Sequence, residues 1–192
     1  MISLDHWLAA ATKLVLAAGV SLVACVIPLY AQEGQLTQPK IEAKVTFGGA
    51  NFVDDSKHTM VGGAVRAYVR KRISLETEYL YLHHSDNDQD WLVQPSVAVD
   101  FTDPTKRFVA YGLVGAGVLH HKGRYFGNDF ATGAPRVFDT SFTGWTASIG
   151  GGVKIFLTKR LFVSPEFRVG REPTVRGTIS VGYVFGGRRS RT

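Results

Sequence analysis

The chain has 192 residues, with 22 Lys plus Arg against 16 Asp plus Glu and a net charge of +6 with histidine neutral. At 45% hydrophobic and 20% charged residues it is too apolar for a disordered chain and too lightly charged for a coiled coil. One cysteine excludes internal disulfides and a zinc-finger or iron–sulfur site, and with Arg188, Arg189 and Arg191 supplying half of the net charge, no nucleic-acid partner is expected.

The chain opens on an apolar run, LVLAAGVSLVACVI at 14–27, preceded by Lys13 and closed by Pro28-Leu29-Tyr30-Ala31. This pattern reads as a signal peptide over 1–31, cleaved after Ala31, with a short polar linker over 32–39. Leu22-Val23-Ala24-Cys25 resembles a lipoprotein lipobox, so lipidation at Cys25 is the alternative. An uncleaved anchor is a third option, although the run is shorter than the ~20 residues of a spanning helix.

From Lys40 onward the hydrophobic period is two, not 3.6. Strands are predicted over 40–47, 59–70, 73–81, 91–101, 107–119, 145–155, 161–170 and 175–185. In the third, Ile73, Leu75, Thr77, Tyr79 and Tyr81 share one face and Ser74, Glu76 and Glu78 the other. The fifth strand, FVAYGLVGAGVL, is apolar on both faces, which leaves its register open. Pro95 and Pro165 each remove a ladder donor, so bulges are expected there. The connections at 71–72, 102–106 and 158–160 are tight, whereas 53–58, 83–90 and 120–141 are mostly longer and polar, with 171–174 the short exception on that rim. Strands of about ten residues with short turns on one rim and long loops on the other predict an all-β, eight-stranded antiparallel up-and-down transmembrane β-barrel over 40–185. A basic tail, 186–192, follows; its last seven residues are too few for a further folded domain.

Tyr79, Tyr81, Trp91, Phe101, Trp145, Tyr183 and Phe185 fall on the apolar face near strand ends and are predicted to form the aromatic girdles. The opposite face would line the lumen with small residues such as Gly62, Ala64, Ser96, Ala98, Ser148 and Gly150. It also carries a set of mixed charges: Glu42, Lys44, Arg66, Glu76, Glu78, Asp100, Lys154, Glu166, Arg168 and Arg176. Charges in a confined lumen must be paired or hydrated, so a salt-bridge network that plugs the barrel is expected, with a narrow pore as the alternative.

The segments GGAVRAYVRKRISLETEYLY, QPSVAVDF, FVAYGLVGAGV, GGGVKIFLTKRLFVSPEFRVG and GTISVGYVF resemble those of the small outer-membrane β-barrel proteins related to the transmembrane domain of outer-membrane protein A and the opacity proteins. That resemblance implies a bacterial outer-membrane protein in contact with outer-membrane lipid and lipopolysaccharide. Tyr183 and Phe185 stand where the family carries the aromatic pair read by the barrel assembly machinery. Ser180 replaces the usual Gly of that signal, and Gly186 to Thr192 extend past the terminal aromatic.

Arg124, Tyr125, Phe126, Phe130, Arg136 and Phe138 give the 120–141 loop an aromatic and basic mix suited to a surface ligand. His83, His84, His120 and His121, with Asp86, Asp88 and Asp90, gather on the long-loop rim; solvated loop residues explain them, and no metal is expected. Glu76 and Glu78 at i, i+2 are ordinary alternation rather than a hydrolase pair. His83-His84-Ser85-Asp86-Asn87 has a distant look of the His-x-Ser-Asn motif of lipid A deacylases, the least favoured reading. The expectation is a structural or adhesin-like surface barrel without catalysis or cofactor; an exported lipocalin-like binder, with its faces inverted, is the soluble alternative.

Overall fold

A computed structural model describes residues 41–53, 57–85, 88–128 and 133–186. The signal-peptide, lipidation and linker expectations, and all but the first residue of the basic tail, lie outside the described residues. The strands are β1 (Ile41–Asn51), β2 (Lys57–Tyr68), β3 (Ile73–Ser85), β4 (Asp88–Asp100), β5 (Phe108–Asn128), β6 (Pro135–Phe156), β7 (Leu161–Arg171) and β8 (Val175–Phe185). Each pairs antiparallel with its chain neighbours, and β8 returns to β1 to close the barrel.

The registers fix its dimensions. Stepping across paired residues from Ile41 leads to Ala67, Leu75, Val97, Val114, Ile149, Val169 and Val175, and returns to β1 at Asn51, ten residues above the start. A stagger of ten over eight strands tilts them by about 40° and sets a backbone radius of about 8 Å, for ~3.3 Å rise and ~4.8 Å strand spacing. An interior this narrow is filled by side chains.

The pleat sorts the residues strictly. In β8, Arg176, Thr178, Ser180, Gly182 and Val184 point inward, while Val175, Ile179, Val181, Tyr183 and Phe185 point out. In β5, whose sequence left the register open, Val109, Tyr111, Leu113 and Leu119 face the lumen and Phe108 and Val114 face out. Apart from Thr77, outward side chains are apolar on all eight strands over a band bounded by Phe101, Phe108 and Phe185 at the tight-turn rim and by Trp91 and Trp145 at the other. The ten residue steps from Phe108 to Val118 along a tilted strand give that band a height of about 25 Å, the thickness of a bilayer's apolar slab. An apolar outside around a charged inside is the reverse of a soluble lipocalin-like barrel, which removes that alternative.

Two expectations are corrected. The 120–141 segment is not a loop: β5 and β6 continue in register through it, from His120↔Thr143 to Asn128↔Pro135, as a two-stranded ribbon. The prolines do not create bulges either. Val93↔Val118 and Ser96↔Gly115 flank Pro95 in one register, as Gly152↔Glu166 and Ile155↔Val163 flank Pro165. Each proline interrupts the ladder on its donor side only, and pairing resumes in phase. A register shift occurs instead between His83 and Ser85.

Candidate functional site

Below the mouth of the barrel, the inward positions gather five carboxylates, Glu42, Glu76, Glu78, Asp100 and Glu166, and five cations, Lys44, Arg66, Lys154, Arg168 and Arg176, all buried; Asp90 is a sixth buried carboxylate, at the mouth itself. The ten charges below the mouth sum to zero, and they form three tiers. Nearest the turn rim, Lys154 Nζ lies 3.0 Å from Glu42 Oε2 and 3.5 Å from Asp100 Oδ1. There the Tyr68 hydroxyl donates to Asp100 Oδ2 at 2.7 Å and accepts from Lys154.

At mid-depth Glu76 is the hub. Its carboxylate meets Lys44 Nζ at 3.2 Å, Arg66 Nη2 at 2.8 Å and Arg168 Nη2 at 3.0 Å. Glu166 takes Lys44 at 3.2 Å, Arg168 Nε at 2.6 Å and the Tyr111 hydroxyl at 2.6 Å. The upper tier holds Glu78, 2.6 Å from Arg176 Nη2, with Gln94 Oε1 accepting from the same nitrogen at 3.0 Å.

Local pairing explains these contacts. Arg66 and Glu76 are direct cross-strand partners, so their ion pair follows from the register. Arg168 and Arg176 are also cross-strand partners, an unfavourable juxtaposition of like charge. It is relieved because each guanidinium crosses the lumen to carboxylates of β3. Glu76 and Glu78 are thus each paired with cations, Glu78 through Oε2 alone.

Apolar clusters close the lumen above and below. Ala50, Met60, Leu80, Leu82, Leu92 and Leu119 pack together at the loop-rim end, with Phe52 against them. Val109, Phe156, Phe162 and Val184 do the same at the turn rim, where the Phe162 ring lies across Gly182. The sequence reading missed both clusters and the two tyrosines. A signal was present: Leu80, Leu82 and Leu92 are leucines standing in the polar phase of their strands.

Outside, Trp91 packs between Tyr81 and Tyr79, at centroid distances of 4.6 and 5.5 Å, and Tyr183 meets Phe185 at 5.0 Å. Phe101 lies over Gly112, and the Arg171 guanidinium sits 4.1 Å from the Trp145 ring centre. Tyr79, Tyr81, Trp91, Phe101, Trp145, Tyr183 and Phe185 therefore all face outward.

At the mouth, His121 Nδ1 is 2.7 Å from Asp90 Oδ1 and His58 Nε2 is 3.5 Å from Asp90 Oδ2. Among the described residues no group of three or more His, Cys, Asp or Glu is placed to hold a metal ion. His84 Nδ1 meets the Lys57 carbonyl at 2.6 Å, while His83 is on the outer face, stacked on Tyr81. Asp86, Asn87 and the Ser85 side chain lie outside the described residues.

The ribbon projects beyond the barrel, with Phe126 and Phe142 exposed. Arg124 Nε donates to Asp139 Oδ1 at 2.8 Å, and this bond raises the Arg124 pKa above its ordinary value. Arg136 lies 5.6 Å from the Phe138 ring centre. Tyr125 pairs with Phe138 through the backbone; its side chain, and Phe130, lie outside the described residues.

A family model for the outer membrane protein beta-barrel domain matches residues 16–185. The N-terminal β-barrel domain of Pseudomonas aeruginosa OprF is 18% identical, with a TM-score of 0.54 over 77% of this chain and all of that domain. Neisserial surface protein A is 11% identical, with a TM-score of 0.53 over 76% of this chain and 95% of that one. At such identities the likeness is one of fold. No curated protein matches the chain.

Proposed function

The chain belongs to the outer-membrane protein β-barrel family and resides in the bacterial outer membrane; from that premise we propose that it is a non-conducting surface barrel whose role is envelope structure and surface contact, without catalysis. The observation that carries this reading is the division of the molecule into a sealed lumen and a free ribbon. Ten neutralising charges fill the middle of the lumen, and an apolar cluster closes each end. A water thread would have to displace leucine and phenylalanine side chains before reaching this network of ten charges.

The ribbon, by contrast, offers Arg124, Phe126, Arg136 and Phe138 above the apolar band, aromatic and basic groups of the kind enriched at protein contacts. We assign surface contact to this element, lipid and lipopolysaccharide contact to the apolar band and its rim, and recognition by the barrel assembly machinery to the Tyr183 and Phe185 strand.

Two measurements on one preparation test the proposal. The purified chain in planar bilayers should give no unitary currents, and cells displaying it should bind host or surface ligands in a manner lost when 125–138 is replaced by a Gly/Ser linker. Regular currents abolished by Glu76→Gln would establish the narrow pore instead. Binding that survives the replacement would move surface contact away from the ribbon.

A further inference from the structure

We propose that the tight-turn rim, the periplasmic end of the barrel, is a binding surface for anionic glycerophospholipid of the inner leaflet, its cations taking the headgroup phosphates just outside the aromatic girdle. The proposal deepens the lipid contact assigned above and rests on it.

The three tight turns concentrate the charge of the chain. The Val69 and Arg70 amides both donate to the Ile73 carbonyl, closing the β2–β3 turn with Arg70, Lys71 and Arg72 exposed at its tip. The β4–β5 turn exposes Lys106 and Arg107, and the β6–β7 turn Lys159 and Arg160. One carboxylate, Asp103, stands among these seven cations. Its Oδ1 accepts from the Thr105 amide and hydroxyl at 2.9 and 2.6 Å, and its Oδ2 lies 4.0 Å from Lys71 Nζ. Seven cations against one carboxylate give the turns a charge of +6, equal to the net charge of the whole chain, so all other charges in the sequence sum to zero. The opposite rim mixes signs, with Lys57, Lys122 and Arg171 alongside Asp139 and Glu172. Short turns face the periplasm in barrels of this architecture, which sets the polycationic rim against the inner leaflet.

Depth selects the ligand. Phe108 marks the edge of the apolar band, and Lys106 and Arg107 lie within two residues of it, no more than about 7 Å beyond at ~3.3 Å per residue. The headgroup layer on each face of a bilayer is about 5–7 Å thick, so these cations stand inside it rather than out at the cell wall.

Two guanidinia are held at the lipid-facing circumference itself. Arg160 Nη1 donates to the Tyr183 hydroxyl at 3.0 Å, and the Arg107 guanidinium lies 5.8 Å from the Phe108 ring centre. Both rings face outward, so each arginine is fixed beside an acyl chain in a position to grip a phosphate through paired N–H groups. On β6, between β5 and β7, Leu157 is exposed and offers that chain an apolar seat. Successive turns are two strands, about 10 Å, apart, so each meets its own headgroup. A zwitterionic headgroup brings an ammonium beside its phosphate, which a rim of surplus cations disfavours; an anionic one neutralises the rim.

The test uses the full-length protein in detergent, titrated with phosphatidylglycerol or phosphatidylethanolamine of matched acyl chains, with bound lipid counted by native mass spectrometry. The wild type is compared with R107Q/R160Q, with K71Q/K106Q/R107Q/R160Q, and with K57Q/K122Q, which removes cations from the opposite rim. Each sample must first show the heat-dependent mobility shift of a closed barrel. The wild type and K57Q/K122Q should retain phosphatidylglycerol about tenfold better than phosphatidylethanolamine; R107Q/R160Q should lose part of that preference and the quadruple variant nearly all of it. Equal retention of the two lipids by the wild type, or a preference that persists in the quadruple variant, overturns the site. Displacement of phosphatidylglycerol by inorganic phosphate, or by soluble cell-wall fragments bearing free carboxylates, would assign the cations to a free anion or to the wall polymer and overturn it likewise. Retention of neither lipid by the wild type would overturn the underlying lipid contact as well.

Discussion

Replacing Glu76 by glutamine removes one negative charge from a central network in which five carboxylates balance five cations, and it does so at the residue that touches Lys44, Arg66 and Arg168 within 3.2 Å. The new amide presents donors to three donors. Glu166 still compensates Lys44 and Arg168, and Asp100 and Glu42 lie at 3.8 and 4.0 Å from Arg66, so the loss is that of one partner from a buried network. Breaking such a pair costs about 3–5 kcal/mol, a large fraction of the 5–15 kcal/mol typical of a whole domain. Urea titration of the chain folded in lipid vesicles, read from the heat-shifted band on unboiled gels, should show the midpoint falling with the slope unchanged. Adding Lys44→Met restores neutrality at four against four and should recover half or more of the loss. A Glu76→Gln change below about 1 kcal/mol, or simple additivity in the double variant, would refute the claim that charge balance in the lumen holds the barrel together.

In the upper tier Arg176 Nη1, Glu78 Oε1 and Gln94 Nε2 have no hydrogen-bond partner among the described residues, and Arg176 opposes Arg168 across the strands. Arg176→Met should therefore destabilise by about 1–3 kcal/mol and Arg168→Met by more, in the same urea assay. A Cβ at Gly182 would run into the Phe162 ring, whereas one at Gly177 meets nothing within 4 Å. Gly182→Ala should cost about 1–3 kcal/mol and Gly177→Ala stay within about 0.5 kcal/mol. Trp91 and Trp145 stand at the upper edge of the apolar band. In a Trp7→Phe background, lipids brominated near the headgroup should quench tryptophan fluorescence more than lipids brominated at the chain ends; the reverse order would displace the band from the bilayer.

How far the sequence could be read depended on whether the two faces met different solvents. In β8, Arg176, Thr178 and Ser180 against Ile179, Val181 and Tyr183 leave one arrangement, and the strand bounds of 175–185 coincide with the structure. In β5 the same reasoning stalls. Val109 and Leu119 belong to the clusters that close the lumen, so inner and outer residues are chemically alike and only pairing with β4 and β6 sets the register. The ribbon was misread as a loop for a related reason. With both faces in water it has no apolar alternation to detect, and what holds it are cross-strand pairs such as Arg124 with Asp139, visible only once the strands are aligned. The inward charges were legible one by one as polar-phase residues; Glu76 as a shared hub was not, because its partners come from β1, β2 and β7.

The same ribbon shows where the lipid must end. Within an apolar slab a strand edge is excluded, since its backbone groups would find no partner. The uppermost pairs of the neighbouring strands are Asp88↔Gly123 on the β5 side and Arg171↔Ala147 on the β6 side, and the seam to β7 ends where Thr146 Oγ1 bonds the Arg171 carbonyl at 2.5 Å. Beyond those points β5 and β6 have edges facing solvent. His120 and Thr143, register partners, are the first polar outward residues of the same two strands, so the side chains turn polar between the points at which the two edges open. An exposed edge invites pairing with another chain. This one is carried by Lys122, Arg124, Arg136, Asp139 and Pro135, charges and a proline of the kind that discourage such pairing. The ribbon can therefore hold its aromatic side chains in water, and a partner must be recognised through those side chains rather than through the open edge.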